Sequence, residues 1–416
     1  MQIDRRTVMA GAGGLGLGAL MASGADAHMM VAKPESVGFS SAGLKDLDAQ
    51  THGLVDQKKL ASVITLVARK GKVVHLDAYG SLRAGTDAPV KTDSIFRLAS
   101  MTKPTIGAVM MMLWEQGRWK LDDPVAKFIP EFKDLKVQDA SGAAVPQATP
   151  MTMRQLMSHN AGFGRNEDYA KYNFREGNLQ DMINRLASLP LFAQPGTKWL
   201  YGPSVDIQGY VIEKLTGESL DVAMKKHLYG PLDMVDTNFW VDASKSDRVS
   251  SIHTYKDGVI TPVAATNTFP TAKPSYLSGS GGLFSTIEDY NRFCQMILNG
   301  GTLGGHRYLK ASTVKLMHKS VLNPGVNVTL YSPDTVGLGF GMDFAIVEDQ
   351  AAAKTSQGPQ SFYWGGAFGT WFWIDPVNDL FVIGFIQNVN GSTPNTGTPP
   401  MRELSAKAVY AALKPA

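Results

Sequence analysis

The chain has 416 residues, which is long enough for two or at most three domains and for a sizeable buried core. Apolar residues make up 44% and charged residues 19%, a composition that excludes disordered and fibrous chains. The formal net charge is only +3 and no stretch is dense in lysine and arginine, so we expect no nucleic-acid partner. Cys294 is the only cysteine, which excludes a disulfide within the chain and a thiolate metal cluster.

The first 27 residues have the pattern of an export signal. Arg5 and Arg6 precede a small, apolar, glycine-rich stretch over residues 10–21, and residues 25–27 form an A-x-A cleavage pattern. This order predicts a twin-arginine signal, a mature chain that starts near His28, and a bacterial periplasmic location. The apolar stretch is shorter than the roughly 20 residues of a membrane-spanning helix, so we expect a folded cargo without stable membrane insertion.

The mature chain begins with a predicted helix and a predicted hairpin. Apolar residues recur at helical spacing after Ser40 or Ser41, and either serine can cap the helix. Residues 61–69 and 72–80 are rich in valine, isoleucine and leucine, and a lysine–glycine pair separates them. We therefore expect an antiparallel hairpin with a tight turn.

Helices dominate the middle of the chain, and strands return near its end. A helix after Ser100 carries one buried stripe and ends at Gly117, and Ser204 caps a later helix that stops at Gly217. The C-terminal predictions are strands over residues 361–373 and 380–387, a surface loop over 388–400 and a helix over 401–413.

Strands at both ends with helices between them predict an α+β or α/β fold. The expected architecture is an antiparallel sheet built from the N- and C-terminal segments, with flanking helices and an inserted, mainly helical region. The predicted boundaries are residues 28–105 and 276–416 for the discontinuous α/β domain and 106–275 for the helical domain.

Several common catalytic patterns are missing from the sequence. It contains no G-x-S-x-G, no H-E-x-x-H and no G-x-x-x-x-G-K-[ST]. The eight histidines are scattered without a ligand-like pair, so we expect no metal site and no cofactor.

One catalytic pattern is present, the S-x-x-K at Ser100 and Lys103. Positions i and i+3 share a helix face, so the amine can take the proton of the serine hydroxyl without a histidine. Backbone N–H groups at the start of a helix also favour a developing anion. The alternative is a capping serine beside a solvated lysine. A second S-x-x-K at residues 312–315 reads as part of an ordinary amphipathic surface helix.

Three motifs together resemble the serine β-lactamase and penicillin-binding-protein superfamily, with a class C β-lactamase-like pattern. They are S-M-T-K-P from Ser100, W-L-Y-G-P-S-V-D around Tyr201, and W-G-G from Trp364, in the family's order and rough spacing. Flanking stretches such as G-G-L-F-S-T at residues 281–286 also match, so the resemblance covers nearly all of the mature chain. The tryptophan of the third motif is similar to that of family VIII carboxylesterases.

The resemblance implies a β-lactamase-like fold and a serine hydrolase. Ser100 would attack an ester carbonyl to form an acyl-enzyme, and Lys103 and Tyr201 would share the proton transfers. Lysine and tyrosine normally titrate near 10, so the site must lower the pKa of at least one of them. The backbone N–H groups of Ser100 and Ala367 would form the oxyanion hole.

The third motif is crowded with aromatic residues, and their expected roles differ. Gly365 and Gly366 would let the strand edge approach the substrate, and Trp364 would face the cleft. Trp371 and Trp373 are better explained as core residues. His159 is better explained as a loop cap than as a catalytic group.

Two departures from the penicillin-recognising pattern indicate the substrate class. Trp364 stands where those relatives have a lysine or histidine that pairs with a carboxylate, and Pro203 stands where the lactamase motif has an asparagine. We therefore expect a small-molecule ester substrate that is neutral and fairly apolar, weak β-lactam hydrolysis, and a larger share of the proton transfer on Lys103.

Other functions stay open on the same scaffold. They are a D-amino peptidase, amidase or transacylase, a β-lactamase, and a non-catalytic penicillin-binding-like sensor. The sequence also leaves open whether the chain pairs with itself.

Overall fold

The computed structural model describes residues 29–264, 267–329, 335–389 and 398–414. The export signal and cleavage site predicted within residues 1–27 lie outside the described residues, as does most of the loop predicted for residues 388–400. Within the described ranges, no helix is both long and apolar enough to cross a membrane.

The described residues contain fifteen strands. In chain order they are β1 (Ser62–Arg69), β2 (Lys72–Gly80), β3 (Phe96–Arg97), β4 (Val137–Gln138), β5 (Ala144–Val145), β6 (His253–Lys256), β7 (Val259–Pro262), β8 (Phe284–Ser285), β9 (Thr302–Leu303), β10 (His306–Arg307), β11 (Leu338–Phe340), β12 (Ala345–Val347), β13 (Phe362–Gly365), β14 (Trp371–Asp375) and β15 (Leu380–Phe385).

Seven of these strands form the central antiparallel sheet. Their order is β11-β12-β13-β14-β15-β1-β2, so the N-terminal hairpin joins the C-terminal strands through β1 and β15. Both joining strands are buried almost throughout, which explains their continuous apolar sequences. The predicted sheet of N- and C-terminal segments is therefore confirmed.

The helices either flank this sheet or belong to the chain segment between its N-terminal and its C-terminal strands. They are α1 (Ser41–Asp56), α2 (Lys103–Glu115), α3 (Met153–Met157), α4 (Asn166–Tyr169), α5 (Leu179–Ala187), α6 (Ser204–Thr216), α7 (Leu220–Met224), α8 (Ile287–Leu298), α9 (Ala311–Met317), α10 (Gln350–Ala353) and α11 (Met401–Ala412). Helices α2–α7 lie between β3 and β6 along the chain, with the short strands β4 and β5 between α2 and α3. This order agrees with an inserted, mainly helical region. The boundaries proposed for the two domains stay a prediction.

Side chains of β14 show that α11 and α8 cover opposite faces of the sheet. The indole nitrogens of Trp371 and Trp373 both donate to the Ser405 hydroxyl on α11. Phe372, which lies between them and points the other way, packs against Tyr290 of α8. The structural role predicted for the two tryptophans is confirmed.

The first predicted helix and hairpin are confirmed in detail. Ser40 caps α1, because its hydroxyl accepts a hydrogen bond from the Gly43 N–H at 3.3 Å. Lys70 and Gly71 both have positive φ angles, as a two-residue turn between twisted strands requires. These features are local, and the sequence therefore predicts them well.

Three predictions about individual elements are wrong. Ser204 is the first residue of α6 but does not cap it, because Pro203 holds the cap position. Helix α2 is buried on all sides rather than along one stripe, since α6, α9 and residues 225–229 surround it. Residues 361–373 form two strands, because a turn at Gly366 reverses the chain.

Candidate active site

Ser100 lies in a short 3-10 turn, Ala99–Thr102, that leads directly into α2. Ala99 has a φ angle of +46°, a conformation that is uncommon for alanine and sets the direction of the turn. Lys103 is the first residue of α2, and its Nζ donates to the Ser100 hydroxyl at 3.2 Å. Ser100 is partly exposed, whereas Lys103 is only 2% exposed. The serine can therefore meet a ligand while the amine stays shielded from water.

A backbone carbonyl from a distant segment also contacts the lysine. Strands β3 and β8 pair in antiparallel register, which brings the residues after Arg97 beside the residues before Phe284. The Ser280 carbonyl consequently accepts a hydrogen bond from Lys103 Nζ at 2.6 Å. Burial lowers the pKa of Lys103 to about 7, and the negative charge of Asp206 opposes this shift. The neutral amine is thus available at neutral pH.

Asp206 fixes the segment that carries this carbonyl. Its Oδ1 accepts hydrogen bonds from the Ser278 hydroxyl at 2.8 Å and the Ser280 N–H at 2.9 Å. Its Oδ2 accepts from Nε and Nη2 of Arg175 at 3.2 and 3.1 Å. Asp206 is fully buried, and it lies within the second motif. The sequence motifs assign no role to Asp206, although its position five residues after Tyr201, inside the same motif, indicates that it lies near the site.

A buried acid packs against the face of α2 that carries Lys103. A Cβ atom on Gly107, one turn after Lys103, would lie only 2.7 Å from Asp343 Oδ2, so glycine allows this close approach. Asp343 Oδ1 accepts a hydrogen bond from Gln208 Nε2 at 3.2 Å. Burial raises the pKa of Asp343 well above its usual range, whereas the hydrogen bond from Gln208 and the charge of Lys103 oppose this shift.

Tyr201 is held in an aromatic cluster that we define as Tyr201, His159, Trp199, Phe340 and Trp364. The Tyr201 ring centre lies 4.9 Å from that of His159, 5.3 Å from that of Trp364 and 5.8 Å from that of Trp199. Phe340 packs edge-on against Trp364 at 5.4 Å. A face of the Tyr201 ring is turned to Lys103, whose Nζ lies 4.5 Å from the ring centre. The cluster therefore holds the Tyr201 ring beside the Lys103 amine.

The side chain of His159 does not cap a loop, and that interpretation is wrong. Neither ring nitrogen has a hydrogen-bond partner among the residues described, and burial lowers the pKa of His159 well below its usual value. The imidazole is thus a neutral packing group. The link to the neighbouring loop is made by its backbone, since its carbonyl accepts from the Leu200 N–H at 2.9 Å.

The turn after β13 brings Ala367 to the segment before Ser100. Thr370 Oγ1 donates to the Leu98 carbonyl at 3.0 Å, and a Cβ on Gly366 would lie 2.3 Å from that same carbonyl oxygen. Glycine is thus required for this close approach. The N–H groups of Ser100 and Ala367 donate to no acceptor in the described part of the chain, so both can bind a ligand oxygen. The neighbouring Gly365 ends β13 and is partly exposed.

Trp364 is nearly buried, with 2% of its surface exposed, and its ring packs against that of Tyr201. Its predicted role in substrate binding stays a prediction.

The remaining candidates from the sequence fall outside this site. Ser312 and Lys315 are exposed on α9, which confirms the interpretation of the second S-x-x-K as a surface helix. The fold places His52 beside Asp48 and Asp77, with one possible ligand atom of each within 4.8 Å of the others, although no two histidines form a ligand-like pair along the sequence. The possible metal-ligand partners of His52 are therefore carboxylates from α1 and β2 and not a second histidine.

Comparison with known proteins agrees with this geometry. The family model described as Beta-lactamase matches residues 47–407. Esterase EstB of Burkholderia gladioli is 28% identical over 365 residues, covering 81% of this chain and 88% of EstB. An Escherichia coli K12 protein provisionally named a D-alanyl-D-alanine carboxypeptidase is 29% identical over 381 residues, covering 84% of this chain and 83% of its own length.

A solved structure shares the fold. EstCE1, described as a hydrolase with promiscuous acyltransferase activity, superposes with a TM-score of 0.76 at 22% identity, covering 89% of this chain and 98% of EstCE1. The resemblance drawn from the three motifs and the β-lactamase-like fold that it implied are both confirmed. The chain belongs to the beta-lactamase family.

Proposed function

We propose that the protein is a serine esterase that hydrolyses neutral, fairly apolar carboxylic esters through an acyl-enzyme on Ser100. The observation that carries this proposal is the 3.2 Å contact between the partly exposed Ser100 hydroxyl and the buried Lys103 amine. A lysine whose pKa is lowered to about 7 can act as a base at neutral pH. The similarity to esterase EstB supports the same reaction class.

The proposed reaction has two stages, in which Ser100 is first acylated and water then hydrolyses the acyl-enzyme. Neutral Lys103 takes the Ser100 hydroxyl proton as the serine oxygen bonds to the ester carbonyl carbon. The N–H groups of Ser100 and Ala367 stabilise the resulting oxyanion. The carbon–oxygen bond to the alcohol then breaks, and the proton passes from Lys103, with the Tyr201 hydroxyl, to the leaving oxygen. Water attacks the acyl-enzyme in the same way, which releases the acid and restores the serine hydroxyl.

An apolar pocket, lined in part by residues that are adjacent in sequence to the candidate site, supports the proposed substrate class. It has a volume of about 230 Å³ and includes Phe239, Pro270, Pro274, Leu283, Phe284 and Phe368 in its lining. Phe368 directly follows Ala367, and Gly281, which also lines the pocket, directly follows Ser280. The Arg97 guanidinium reaches this pocket as well, but it packs over the Phe284 ring and donates to the Thr268 carbonyl. The lining thus favours an apolar acyl or alcohol group.

A D-amino peptidase or amidase is the second candidate, because the Escherichia coli relative carries a carboxypeptidase name. The two candidates share the nucleophile and differ in the group that leaves. Trp364 and Pro203 stand where penicillin-recognising relatives have groups that contact a substrate carboxylate and amide. These two positions favour the ester over the peptide.

The experiment compares substrates and two matched serine variants. Wild type, Ser100→Ala and Ser312→Ala are assayed on nitrophenyl acetate and butyrate, a chromogenic cephalosporin and a D-amino acid amide. We expect rapid ester turnover, slow cephalosporin turnover and negligible amide turnover. Ser100→Ala should lower kcat by more than about 10³-fold, and Ser312→Ala, from the exposed second S-x-x-K, should leave it unchanged. Amide turnover above ester turnover, or an active Ser100→Ala, would overturn the proposal.

We also propose that the esterase acts in the bacterial periplasm. The support is the twin-arginine pattern at Arg5 and Arg6 with the A-x-A sequence at residues 25–27. Replacing both arginines with lysine should leave the activity in the cytoplasmic fraction. Unchanged export of that variant would contradict the proposal.

A further inference from the structure

A cluster of titratable side chains connects α1 to β2, away from Ser100. Asp48 and His52 are four residues apart on α1 and therefore share one face of the helix. His75 and Asp77 are two residues apart on β2 and therefore share one face of the strand. Thr65 lies directly opposite Asp77 in the β1–β2 pair. The fold thus brings two carboxylates and two imidazoles together from two elements.

The distances within this cluster are those of a metal-ligand set. One ligand atom each from Asp48, His52 and Asp77 lies within 4.8 Å of the others. His52 Nε2 lies 2.8 Å from Asp77 Oδ2, and His75 Nε2 lies 3.4 Å from Asp48 Oδ1. A metal ion with nitrogen and oxygen ligands at about 2.0–2.2 Å keeps those atoms roughly 3–4 Å apart. The 2.8 Å contact between His52 and Asp77 is a hydrogen bond that a metal ion would replace, so the three ligand atoms lie near each other without yet having coordination geometry.

Asp48 provides a second observation that points to a ligand. Its Oδ1 atom is buried and accepts no hydrogen bond from the residues that the structure describes. The nearby His75 Nε2 is instead 2.8 Å from the Thr65 hydroxyl. A buried carboxylate oxygen without a donor is costly, and a cation would compensate that cost.

Neighbouring side chains hold the proposed ligand His52 in one orientation, as residues that contact the ligands do in known metal sites. The His52 ring stacks on Tyr79 with the ring centres 3.8 Å apart and an angle of 13° between the planes. The Tyr79 hydroxyl in turn donates to Asp56 Oδ1 at 2.9 Å. His75 is buried, and its Nε2 lies 3.4 Å from Asp48 Oδ1. The imidazole of His52 is therefore held with Nε2 towards Asp77.

We propose that Asp48, His52 and Asp77 form a binding site for a divalent transition metal such as Zn²⁺, with His75 as an outer residue. As metal ligands, two carboxylates and one imidazole contribute a charge of −2, which a divalent cation neutralises. The imidazole ligand favours Zn²⁺ over Mg²⁺ and Ca²⁺, which prefer oxygen ligands. The three ligand side chains are 25–28% exposed, so an ion can enter and retain water ligands.

The site would stabilise the fold rather than take part in ester hydrolysis. Helix α1 packs against α11, which covers one face of the sheet. The turn that holds Ser100 contacts α8 on the other face, where the Tyr290 hydroxyl donates to the Met101 carbonyl. A metal ion would connect α1 to β2 and stabilise the folded state increasingly as its free concentration rises above the dissociation constant.

The test titrates the chelator-treated full chain with Zn²⁺ alone and measures binding by calorimetry and Tm by circular dichroism. Variants His52→Ala, Asp48→Asn and Asp77→Asn remove one ligand each. His306→Ala removes an exposed histidine from β10 and is the matched control. We expect one Zn²⁺ per chain, a rise in Tm for wild type and control, and at least 10-fold weaker binding for each ligand variant.

Further readouts separate this site from the proposed esterase and from unfolding. Ester turnover should be the same with and without Zn²⁺, and Ser100→Ala should bind Zn²⁺ like wild type. Asp48→Asn keeps the side-chain volume, and its metal-free Tm reports whether it folds. Bound Co²⁺ should give a visible absorption band that His52→Ala loses. Equal Zn²⁺ binding by wild type and His52→Ala, or no saturable binding by wild type, would overturn the proposal.

Discussion

The side-chain nitrogen of Lys103 lies over the face of the Tyr201 ring, 4.5 Å from the ring centre. The negative face of an aromatic ring attracts an ammonium group and favours the charged lysine. Desolvation acts in the opposite direction and dominates, since the pKa of Lys103 falls to about 7. The Tyr201 ring therefore contacts the lysine directly, and in the proposed mechanism its hydroxyl takes part in proton transfer.

Two substitutions of Tyr201 should separate the ring from the hydroxyl. Tyr201→Phe keeps the ring over Lys103 and should lower kcat for a butyrate ester by about 10²- to 10⁴-fold if the hydroxyl transfers a proton. Tyr201→Ala also opens the aromatic cluster and should lower the Tm as well. Steady-state kinetics and thermal unfolding check both variants. A fully active Tyr201→Phe would show that Lys103 transfers the proton alone.

The pH profile of ester hydrolysis should follow the protonation of Lys103. Below its pKa of about 7 the lysine is charged and cannot accept the Ser100 proton, so kcat/KM should fall about tenfold for each pH unit. Above this pH the neutral amine predominates and the rate should reach a plateau. The measurement uses an ester without ionisable groups between pH 5 and 9. A rate that still rises about tenfold for each pH unit at pH 9 would mean that the lysine titrates like an exposed one.

Replacing Lys103 with methionine should abolish hydrolysis and stabilise the protein. The folded-state pKa of about 7 lies below the unfolded value near 10.4, so the unfolded chain binds more protons between these two values. The stability of wild type should therefore rise with pH across this window, while Lys103→Met lacks this dependence. The excess Tm of the variant should be largest below pH 7 and shrink towards pH 10. Thermal unfolding at pH 6, 8 and 10 checks this trend.

Removing the cation beside Asp206 should cost both stability and activity. Arg175→Ala leaves a fully buried carboxylate without its charged partner, which costs about 3 kcal/mol in similar cases. The Ser280 carbonyl that holds Lys103 should also shift, so kcat should fall. Lys226→Ala breaks the exposed ion pair with Glu218 and is the matched control, with an expected cost below about 1 kcal/mol. Equal unfolding free energies for the two variants in urea would contradict this role of Arg175.

Local features of this protein follow from the sequence. The serine cap of α1, the β1–β2 hairpin and the reach of Lys103 to Ser100 involve residues within a few positions of one another. Backbone geometry alone brings such residues together, and their spacing reports it. The similarity of the three motifs added Tyr201 and Ala367, which no periodicity relates to Ser100.

Tertiary structure decided the contacts between distant segments. The β3–β8 register places the Ser280 carbonyl on Lys103, and the packing of four chain segments builds the aromatic cluster around Tyr201. The approach of α1 to β2 likewise joins His52 to Asp77. Spacing along the chain describes neighbours within one element, whereas these contacts depend on strand register and side-chain packing between elements, which no single segment specifies.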